Sequence, residues 1–449
     1  MALGEADGEA VGEAERGGLA VGDGLAERLG AGGEGRATGV PTGSGVSTAG
    51  AEGCSLLAAA LGGVLAPPSA VPSGFSPELP PQAATSRSAP STGPAVTRRT
   101  GSPSVADCLP RLGGGPVGNP DPMAGDLQQG PRRAVVLGAG GVLGAAWMVG
   151  SLVALRDALG VEARDADLLV GTSAGSVLAA LLAAGCSAED LLASQRSAEG
   201  LLPLPGGRTV GFDHDTGTGG WLPARPSPPP ASPALLRRGL RDRHVPPLAT
   251  FWAAMPGGRG SLEPLRTALA DACGPGWPRP GLALPALDFA TGERRLFTAA
   301  SGIPVADAVV ASCTAPLWYA PAELGGRTYI DGGVASITSA DLLAELPADR
   351  RVDEAYVLAP LASLVPDAPR DLASRLERRW RRRETRKVLE EVRAGASRGT
   401  RVVLLTPGPE DLAVMGANLM DPRRRSAVLE TALRTTSRAL ARTSLGVAG

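Results

Sequence analysis

The sequence predicts a three-layer α/β/α fold with a mostly parallel central sheet, preceded by a disordered extension. The first observation is that short apolar segments typical of strands alternate with helical segments from residue 133 onward. Such alternation is typical of a sheet that helices cover on both faces. The second observation is that Phe75 is the only aromatic residue among residues 1–130. A segment with so little to bury cannot offset the entropy of ordering its backbone.

The chain of 449 residues therefore divides at about residue 130. Residues 1–130 are rich in Gly, Ala and Glu and then in Pro, Ser and Thr, which predicts a low-complexity, disordered extension. We predict one folded domain over residues 131–449. Met123 stands just before the first strand, so we expect the folded protein to begin effectively there.

In the first half of the domain, RAVVL is an apolar strand that runs into a glycine loop. A helix is predicted from Leu143 to Leu159, where Gly160 ends it. DLLVG is a second apolar strand, followed by a sharp turn and a helix over 174–184. The Pro- and Gly-rich residues 203–233 predict a loop or a mobile cover.

In the second half, helical segments follow at ALLRRGLRD and EPLRTALADA. LALPALDFATGERRLFTA predicts a hairpin that turns at Thr291–Gly292, and ADAVVASCTA predicts a helix that ends before Pro316. RTYIDGG, EAYVLAP and RVVLLTP predict three more strands. An Arg-rich helix over 370–393 lies between the last two strands, and a final helix is predicted over 423–442.

The composition argues against several classes of site. The net charge is −1, so binding to nucleic acid through bulk charge is not expected. The five cysteines are scattered and contain no CxxC pair, which argues against a disulfide framework and a zinc site. His214 and His244 are the two histidines of the chain, too few for a histidine-rich metal centre. We therefore predict that the protein uses no metal and no cofactor.

The sequence carries no pattern typical of a targeting signal. Its N-terminus is acidic, where a secretory signal would be basic. The apolar run over 56–66 is too short to span a bilayer. The uncharged run from Ala134 to Leu155 is long enough at 22 residues, but its glycines and β-branched residues fit a buried strand, a glycine loop and a helix better. We predict a cytoplasmic protein.

The pentapeptide Gly171-Thr172-Ser173-Ala174-Gly175 matches G-x-S-x-G between an apolar strand and a helix. On so tight a strand-to-helix turn the backbone approaches itself, so the serine needs neighbours without bulk. The serine hydroxyl then points out of the sheet edge, and the following helix N-terminus favours negative charge. The pattern favours Ser173 as a nucleophile. The alternative is an ordinary turn in which this serine caps the helix.

A serine nucleophile needs a base, and no histidine follows His244. This argues against a histidine triad in the usual order Ser, Asp or Glu, then His, and His214 and His244 are interpreted as loop residues. The candidate base is Asp331 in RTYIDGGV, which ends a strand and is followed by two glycines. The alternative for Asp331 is a type I′ hairpin turn, for which Asp-Gly is a common signal.

The third candidate element is the glycine loop from Gly138 to Gly144, directly after the first strand. Glycines there free backbone N–H groups to point into one concave site, where they can stabilise a tetrahedral oxyanion. The competing interpretation is a dinucleotide-binding loop. The spacing G-x-G-G-x-x-G matches that fingerprint imperfectly, and Asp157 lies inside the next helix and not after a second strand.

Together these three motifs resemble the patatin-like phospholipase family of serine–aspartate dyad lipid acyl hydrolases. The resemblance covers residues 133–340 well and 341–449 loosely. It implies a patatin-like fold, Ser173 as nucleophile, Asp331 as proton acceptor and the amides of Gly140 and Gly141 as oxyanion hole. The glycines that support these motifs are Gly138, Gly144, Gly171, Gly175, Gly332 and Gly333.

The glycine loop departs from the family pattern at two positions. The family usually has Gly-Gly-Gly-x-Arg/Lys-Gly, whereas this chain has Ala139 at one glycine and Leu143 at the basic position. Because a cation beside the site is lost, we expect esters of neutral lipids or simple acyl esters as substrates, in preference to lipids with a phosphate head group.

The resemblance implies an ester hydrolase of the phospholipase A or esterase type, acting in lipid catabolism on a lipid or acyl-ester substrate. Two alternatives stay open: an acyltransferase that uses the same dyad, and a catalytically silent lipid- or nucleotide-binding module.

The Arg-rich helix over 370–393 also has two interpretations. A basic helix with Trp380 suits peripheral contact with an anionic membrane, whereas Glu–Arg pairing suits an ordinary solvated helix, which we favour.

Overall fold

The computed structural model describes residues 130–214, 227–242 and 244–446. The strands are β1 (Arg133–Leu137), β2 (Leu168–Gly171), β3 (Leu201–Pro203), β4 (Thr209–Gly211), β5 (Leu282–Asp288), β6 (Arg294–Phe297), β7 (Ala322–Leu324), β8 (Arg327–Asp331), β9 (Glu354–Leu358) and β10 (Arg401–Leu405). The α-helices are α1 (Gly141–Leu159), α2 (Ala174–Ala183), α3 (Ala188–Arg196), α4 (Pro233–Arg241), α5 (Pro247–Ala254), α6 (Glu263–Cys273), α7 (Val305–Cys313), α8 (Leu342–Glu345), α9 (Leu372–Ala396), α10 (Pro409–Met415) and α11 (Arg425–Gly446).

The central sheet has the strand order β10-β9-β1-β2-β5-β8-β7, with β6 paired to β5 outside this order. The five strands from β10 to β5 are parallel, whereas β8, β7 and β6 are added in antiparallel pairs. The register places Leu137 of β1 beside Gly171 of β2 and Leu358 of β9. The carboxyl ends of these three strands therefore meet at one edge.

Both faces of the sheet are buried against helices. Along β1, Val135 and Leu137 pack into one apolar core, which includes residues of α1, α2 and α11. The alternate residues Ala134 and Val136 pack into a second core with residues of α8 and α9. Because side chains alternate across a strand, an all-apolar strand requires a layer on each side. The predicted three-layer, mostly parallel fold is confirmed.

The uncharged run that begins at Ala134 forms a strand, a glycine loop and a core helix. Among the described helices, α1 is the one that is long and apolar enough to cross a membrane by length and composition, and 72% of its most apolar window is buried inside the protein. The helix packs on α11, where Gly150 lies against Leu429 and Ala432. The hydroxyl groups of Ser151 and Thr436 share a buried hydrogen bond of 3.0 Å across the same contact.

Some elements differ from the sequence prediction. The predicted loop 203–233 contains part of the β3–β4 hairpin and the start of α4, and α3 and β7 were not predicted. The strands β3, β4 and β7 have three residues each, too few for a periodic pattern to be recognised. The predicted disordered extension over 1–130 lies outside the described residues except for Gly130.

The contact between α1 and α11 gives a test of the fold. In an exposed helix, alanine in place of glycine is worth about 1 kcal/mol of added stability. A Cβ at Gly150 would instead lie 2.9 Å from both Ala432 Cβ and Leu429 O. We expect Gly150→Ala to lower the free energy of unfolding by about 1–3 kcal/mol in urea denaturation. Gly276→Ala, where a Cβ meets no atom within 4 Å, is the control. Equal stability of the two variants would contradict the close contact.

Candidate active site

Ser173 lies in the tight turn between β2 and α2. Its backbone has φ 54° and ψ −126°, a conformation that side-chain-bearing residues rarely adopt. A Cβ at Gly175 would lie 2.0 Å from Leu137 O, and a Cβ at Gly171 would lie 2.5 Å from Gly175 O. Both flanking glycines are therefore required by the close approach of the backbone.

Hydrogen bonds from α7 and α2 hold this strained turn. The Ser173 N–H donates to Ser312 Oγ at 3.0 Å, and Ser312 Oγ donates to Pro285 O at 2.6 Å. The Ser173 carbonyl accepts from Ser176 Oγ at 2.6 Å and from Cys313 Sγ at 3.1 Å. Sequence reasoning missed Ser312 and Cys313, because they end a helix that carries no recognisable motif.

Asp331 lies beside Ser173, although many residues separate the two along the chain. The strands β2, β5 and β8 are neighbours in the sheet, and Asp331 pairs with Ala286 of β5. The Ser173 side chain is close enough to the Asp331 carboxylate to favour its ionised form and so to act to lower the pKa of Asp331. Asp331 caps the short 3₁₀ turn Gly332–Val334 and is not part of a type I′ hairpin turn.

The surroundings of Asp331 change its acidity. The carboxyl group is almost completely buried. Burial raises the pKa of Asp331 to about 6, although the Ser173 side chain and the hydrogen bond from the Gly333 N–H act to lower it. The Gly333 N–H donates to Asp331 Oδ1 at 2.7 Å, and a Cβ at Gly332 would lie 2.3 Å from Pro285 O. The pair of glycines thus lets the backbone approach both the carboxylate and β5.

The glycine loop crosses the same sheet edge. The amides of Gly138 and Ala139 donate to Leu358 O at 2.9 Å and to Ile337 O at 2.7 Å. Within the described part of the chain, the next two amides, of Gly140 and Gly141, donate to no carbonyl group. Gly141 begins α1 with φ +59°, and the Gly144 N–H closes the first turn onto Gly140 O at 2.9 Å. Two amides at a helix N-terminus are therefore left for an external acceptor.

Ser173, Asp331, Gly140 and Gly141 all line one cavity of about 300 Å³. Most of the cavity wall is apolar, and it includes Val149, Leu178, Leu181, Phe212, Trp252 and Trp318. Among the described residues, the wall contains no arginine or lysine. The predicted cover 203–233 contributes Phe212 and His214, and α5 contributes Leu248 and Trp252. This arrangement suits an apolar chain whose reactive group lies between a hydroxyl and two amides.

The two histidines differ from each other in surroundings. His214 is a loop residue, as predicted, and it is half-buried in the cavity wall with ring nitrogens 2.9 Å from Ser194 Oγ and 3.0 Å from Gln195 Nε2. Burial and the charge of Arg425 lower the pKa of His214 to about 4. His244 is exposed and pairs with Asp242 at 2.9 Å. With both nitrogens of its ring engaged, His214 is not placed to act as a base for Ser173.

Residues 135–344 match the family model of the patatin-like phospholipases. The chain carries a patatin-like phospholipase domain. The resemblance inferred from the three motifs is thereby confirmed, and the family supports a lipid hydrolase. Ser173, Asp331 and the glycine loop lie inside this patatin-like domain, whereas α9, α10 and α11 lie outside the matched residues.

Among solved structures, VipD from Legionella pneumophila is similar at 14% identity, with a TM-score of 0.32 over 70% of this chain and 67% of VipD. The type III effector protein ExoU is similar at 17% identity, with a TM-score of 0.28 over 70% of this chain and 53% of ExoU. The chain thus spans about half the length of ExoU. A comparison with curated proteins gave no match.

The raised pKa of Asp331 gives a prediction for stability in this patatin-like domain. The group ionises at its ordinary value of 3.8 when the chain is unfolded and at about 6 when it is folded. The folded state is therefore penalised above about pH 6, by up to about 3 kcal/mol, and the penalty disappears below about pH 4.

We expect Asp331→Asn to raise the Tm at about pH 7, because the amide removes the buried charge but keeps an oxygen for the Gly333 N–H. Thermal unfolding between about pH 4 and about pH 8 measures this gain, which should shrink as the pH falls. A gain of equal size at every pH would contradict the raised pKa.

Proposed function

We propose that the protein is a serine hydrolase that cleaves lipid acyl esters through a Ser173–Asp331 dyad and an oxyanion hole formed by the glycine loop. The observation that supports this proposal most directly is that Ser173 and the buried Asp331 carboxylate lie together in the wall of one apolar cavity, close enough for Ser173 to act on the pKa of Asp331. The patatin-like domain over 135–344 supports the same reaction class.

In the first step, Ser173 Oγ attacks the ester carbonyl carbon while its proton moves to the Asp331 carboxylate. The negative charge that develops on the carbonyl oxygen is stabilised by the Gly140 and Gly141 amides at the N-terminus of α1. The C–O bond to the alcohol then breaks, and the alcohol leaves with the proton from Asp331. The acyl group is now an ester of Ser173.

Water releases the acyl group in the second step. It attacks the acyl-enzyme carbonyl and gives a proton to Asp331, which returns this proton to Ser173 Oγ as the carboxylic acid leaves. Because burial raises its pKa to about 6, Asp331 is better matched to proton transfer at neutral pH than an exposed aspartate. The chain's own groups complete this cycle, and the proposal includes no metal or cofactor.

The cavity wall favours substrates without an anionic head group. Leu143, at the position where the family has a cation, is fully buried in the core. Together with the absence of arginine and lysine from the described cavity wall, this favours neutral-lipid or simple acyl esters. The apolar side of the cavity then holds the acyl chain, whose burial contributes about 0.8 kcal/mol per methylene group.

We also propose peripheral contact with anionic membrane through the outer face of α9. Arg379, Arg382, Arg383 and Arg386 are all exposed on this helix. The ion pairs of α9 are formed instead by Arg378, Arg381 and Lys387. Trp380, next to this row of arginines, lines the cavity. A surface of exposed arginines beside the cavity suits a negatively charged lipid interface, and the predicted cytoplasmic location is compatible with it.

The dyad can be tested with a fluorophosphonate probe on the full chain. Wild type should be labelled, and Ser173→Ala should not. Asp331→Asn should slow labelling by about 10²–10⁴-fold, the usual contribution of a general base. His244→Gln, a change at the exposed histidine, is the control and should label at the wild-type rate. Labelling of Asp331→Asn at the wild-type rate would exclude the dyad, and a folded wild type that is not labelled would favour a silent binding module.

The membrane contact can be tested with vesicles that contain phosphatidylserine. The triple variant Arg379→Gln, Arg383→Gln, Arg386→Gln should bind about 10–100-fold more weakly, because each lost surface cation is worth about 1 kcal/mol. A second triple variant, Arg237→Gln, Arg241→Gln, Arg351→Gln, removes the same charge from other exposed positions. Equal weakening in both variants would show non-specific charge attraction and contradict a docking face on α9.

A further inference from the structure

The inner face of α9 carries buried charged side chains that contact the loops around the glycine loop. We propose that Arg381, supported by Glu391, is a positioning residue that holds the glycine loop in place for the oxyanion. This inference rests on the proposed function, because it assigns a role in the same reaction to residues outside the patatin-like match over 135–344.

Arg381 holds the turn that follows β9. Its side chain is only 1% exposed, and its Nε donates to Glu377 Oε1 at 2.8 Å. Its Nη1 donates to Pro360 O at 2.5 Å and to Ala362 O at 3.2 Å. Two carbonyl groups of one turn are thus fixed by one guanidinium group, whose planar fork limits how that turn can move.

This turn is the surface on which the glycine loop lies. A Cβ at Gly140 would be 2.7 Å from Pro360 Cγ, and one at Gly144 would be 3.2 Å from the same atom. Just before the turn, Leu358 O accepts the Gly138 N–H. A displacement of Pro360 would therefore displace Gly140, whose amide we assign to the oxyanion hole.

Glu391, further along α9, holds the opposite side of the loop. Its carboxylate accepts from Ser336 Oγ at 2.6 Å, from Thr338 Oγ1 at 2.5 Å and from the Ala340 N–H at 3.1 Å. The segment fixed in this way carries Ile337, whose carbonyl accepts the Ala139 N–H at 2.7 Å. The loop is thus supported on both sides by groups that α9 holds.

Packing alone does not explain charged groups at these positions, where Arg381 is buried and Glu391 is half-buried. Removing a guanidinium or carboxylate group from water costs several kcal/mol, and apolar side chains of similar size often give equal or greater stability. What the charged groups add is direction, because each accepts or donates several hydrogen bonds at fixed angles. Displacement of catalytic groups by about 1 Å can lower a rate by about 10²-fold, so fixed geometry has a direct effect on rate.

The test compares Arg381→Met, which removes the donors, with Arg381→Lys, which keeps a cation, and with the control Arg398→Gln at an exposed position beyond the end of α9. For Arg381→Met we expect kcat on a p-nitrophenyl acyl ester to fall by about 10–100-fold with KM changed by less than about threefold. Affinity for a trifluoromethyl ketone, which forms an oxyanion adduct, should fall by a similar factor. Affinity for the matching methyl ketone should not change. Arg381→Lys should recover part of kcat.

Equal loss of affinity for both ketones, or a fall in kcat no larger than that of Arg398→Gln, would overturn the proposal. Hydrogen exchange supplies a readout that does not depend on activity. In Arg381→Met, or in Glu391→Gln if the first variant does not fold, peptides that cover 138–144 should exchange faster than in wild type. Peptides that cover β2 should exchange at the same rate as in wild type. Unchanged exchange at 138–144 refutes positioning, whereas an unlabelled wild type refutes the proposed hydrolase; the two failures are therefore distinguishable.

Discussion

The close approach of α2 to the carboxyl end of β1 determines where the reactive groups of this protein lie. Gly175 lies so near Leu137 O that no side chain fits between them. The chain leaves β2 through the strained backbone of Ser173, which has a positive φ. The same edge receives the glycine loop from β1 and Asp331 from β8. Neighbouring strands thus bring together groups that are distant in the chain.

The burial of the proposed catalytic groups opposes folding. An ionised carboxylate and a non-glycine residue with positive φ both oppose folding, and both lie in the wall of one cavity. The surrounding hydrogen bonds offset part of the cost. Ser312 connects the Ser173 N–H to Pro285 O, and the Gly333 N–H contacts the carboxylate. A site of this kind depends on a rigid frame, which the two apolar cores on either side of the sheet supply.

The sequence was informative where the structural signal is local. The strands β1 and β2, the tight turn at Ser173 and the strand that ends at Asp331 are each encoded within a few consecutive residues, so fold class and candidate site followed from them. The β3–β4 hairpin and the place of His214 in the cavity wall were missed, because both depend on contacts with distant segments. The Arg-rich helix was the least predictable element. Composition could not distinguish its exposed Arg379 from its buried Arg381, since that difference depends on which face meets the sheet.

The glycine loop is bordered by three segments that come much later in the chain. Within the loop, one amide donates a hydrogen bond to Ile337 O and another donates to Leu358 O. At the start of α1, the Leu143 amide donates to Leu419 O at 3.0 Å. A chain made from the N-terminus forms the nucleophile turn before it acquires any of these carbonyl groups. The unfinished chain therefore lacks the frame that orders the loop. In this arrangement the order of the loop whose amides we assign to the oxyanion hole depends on segments that follow the nucleophile turn in the chain.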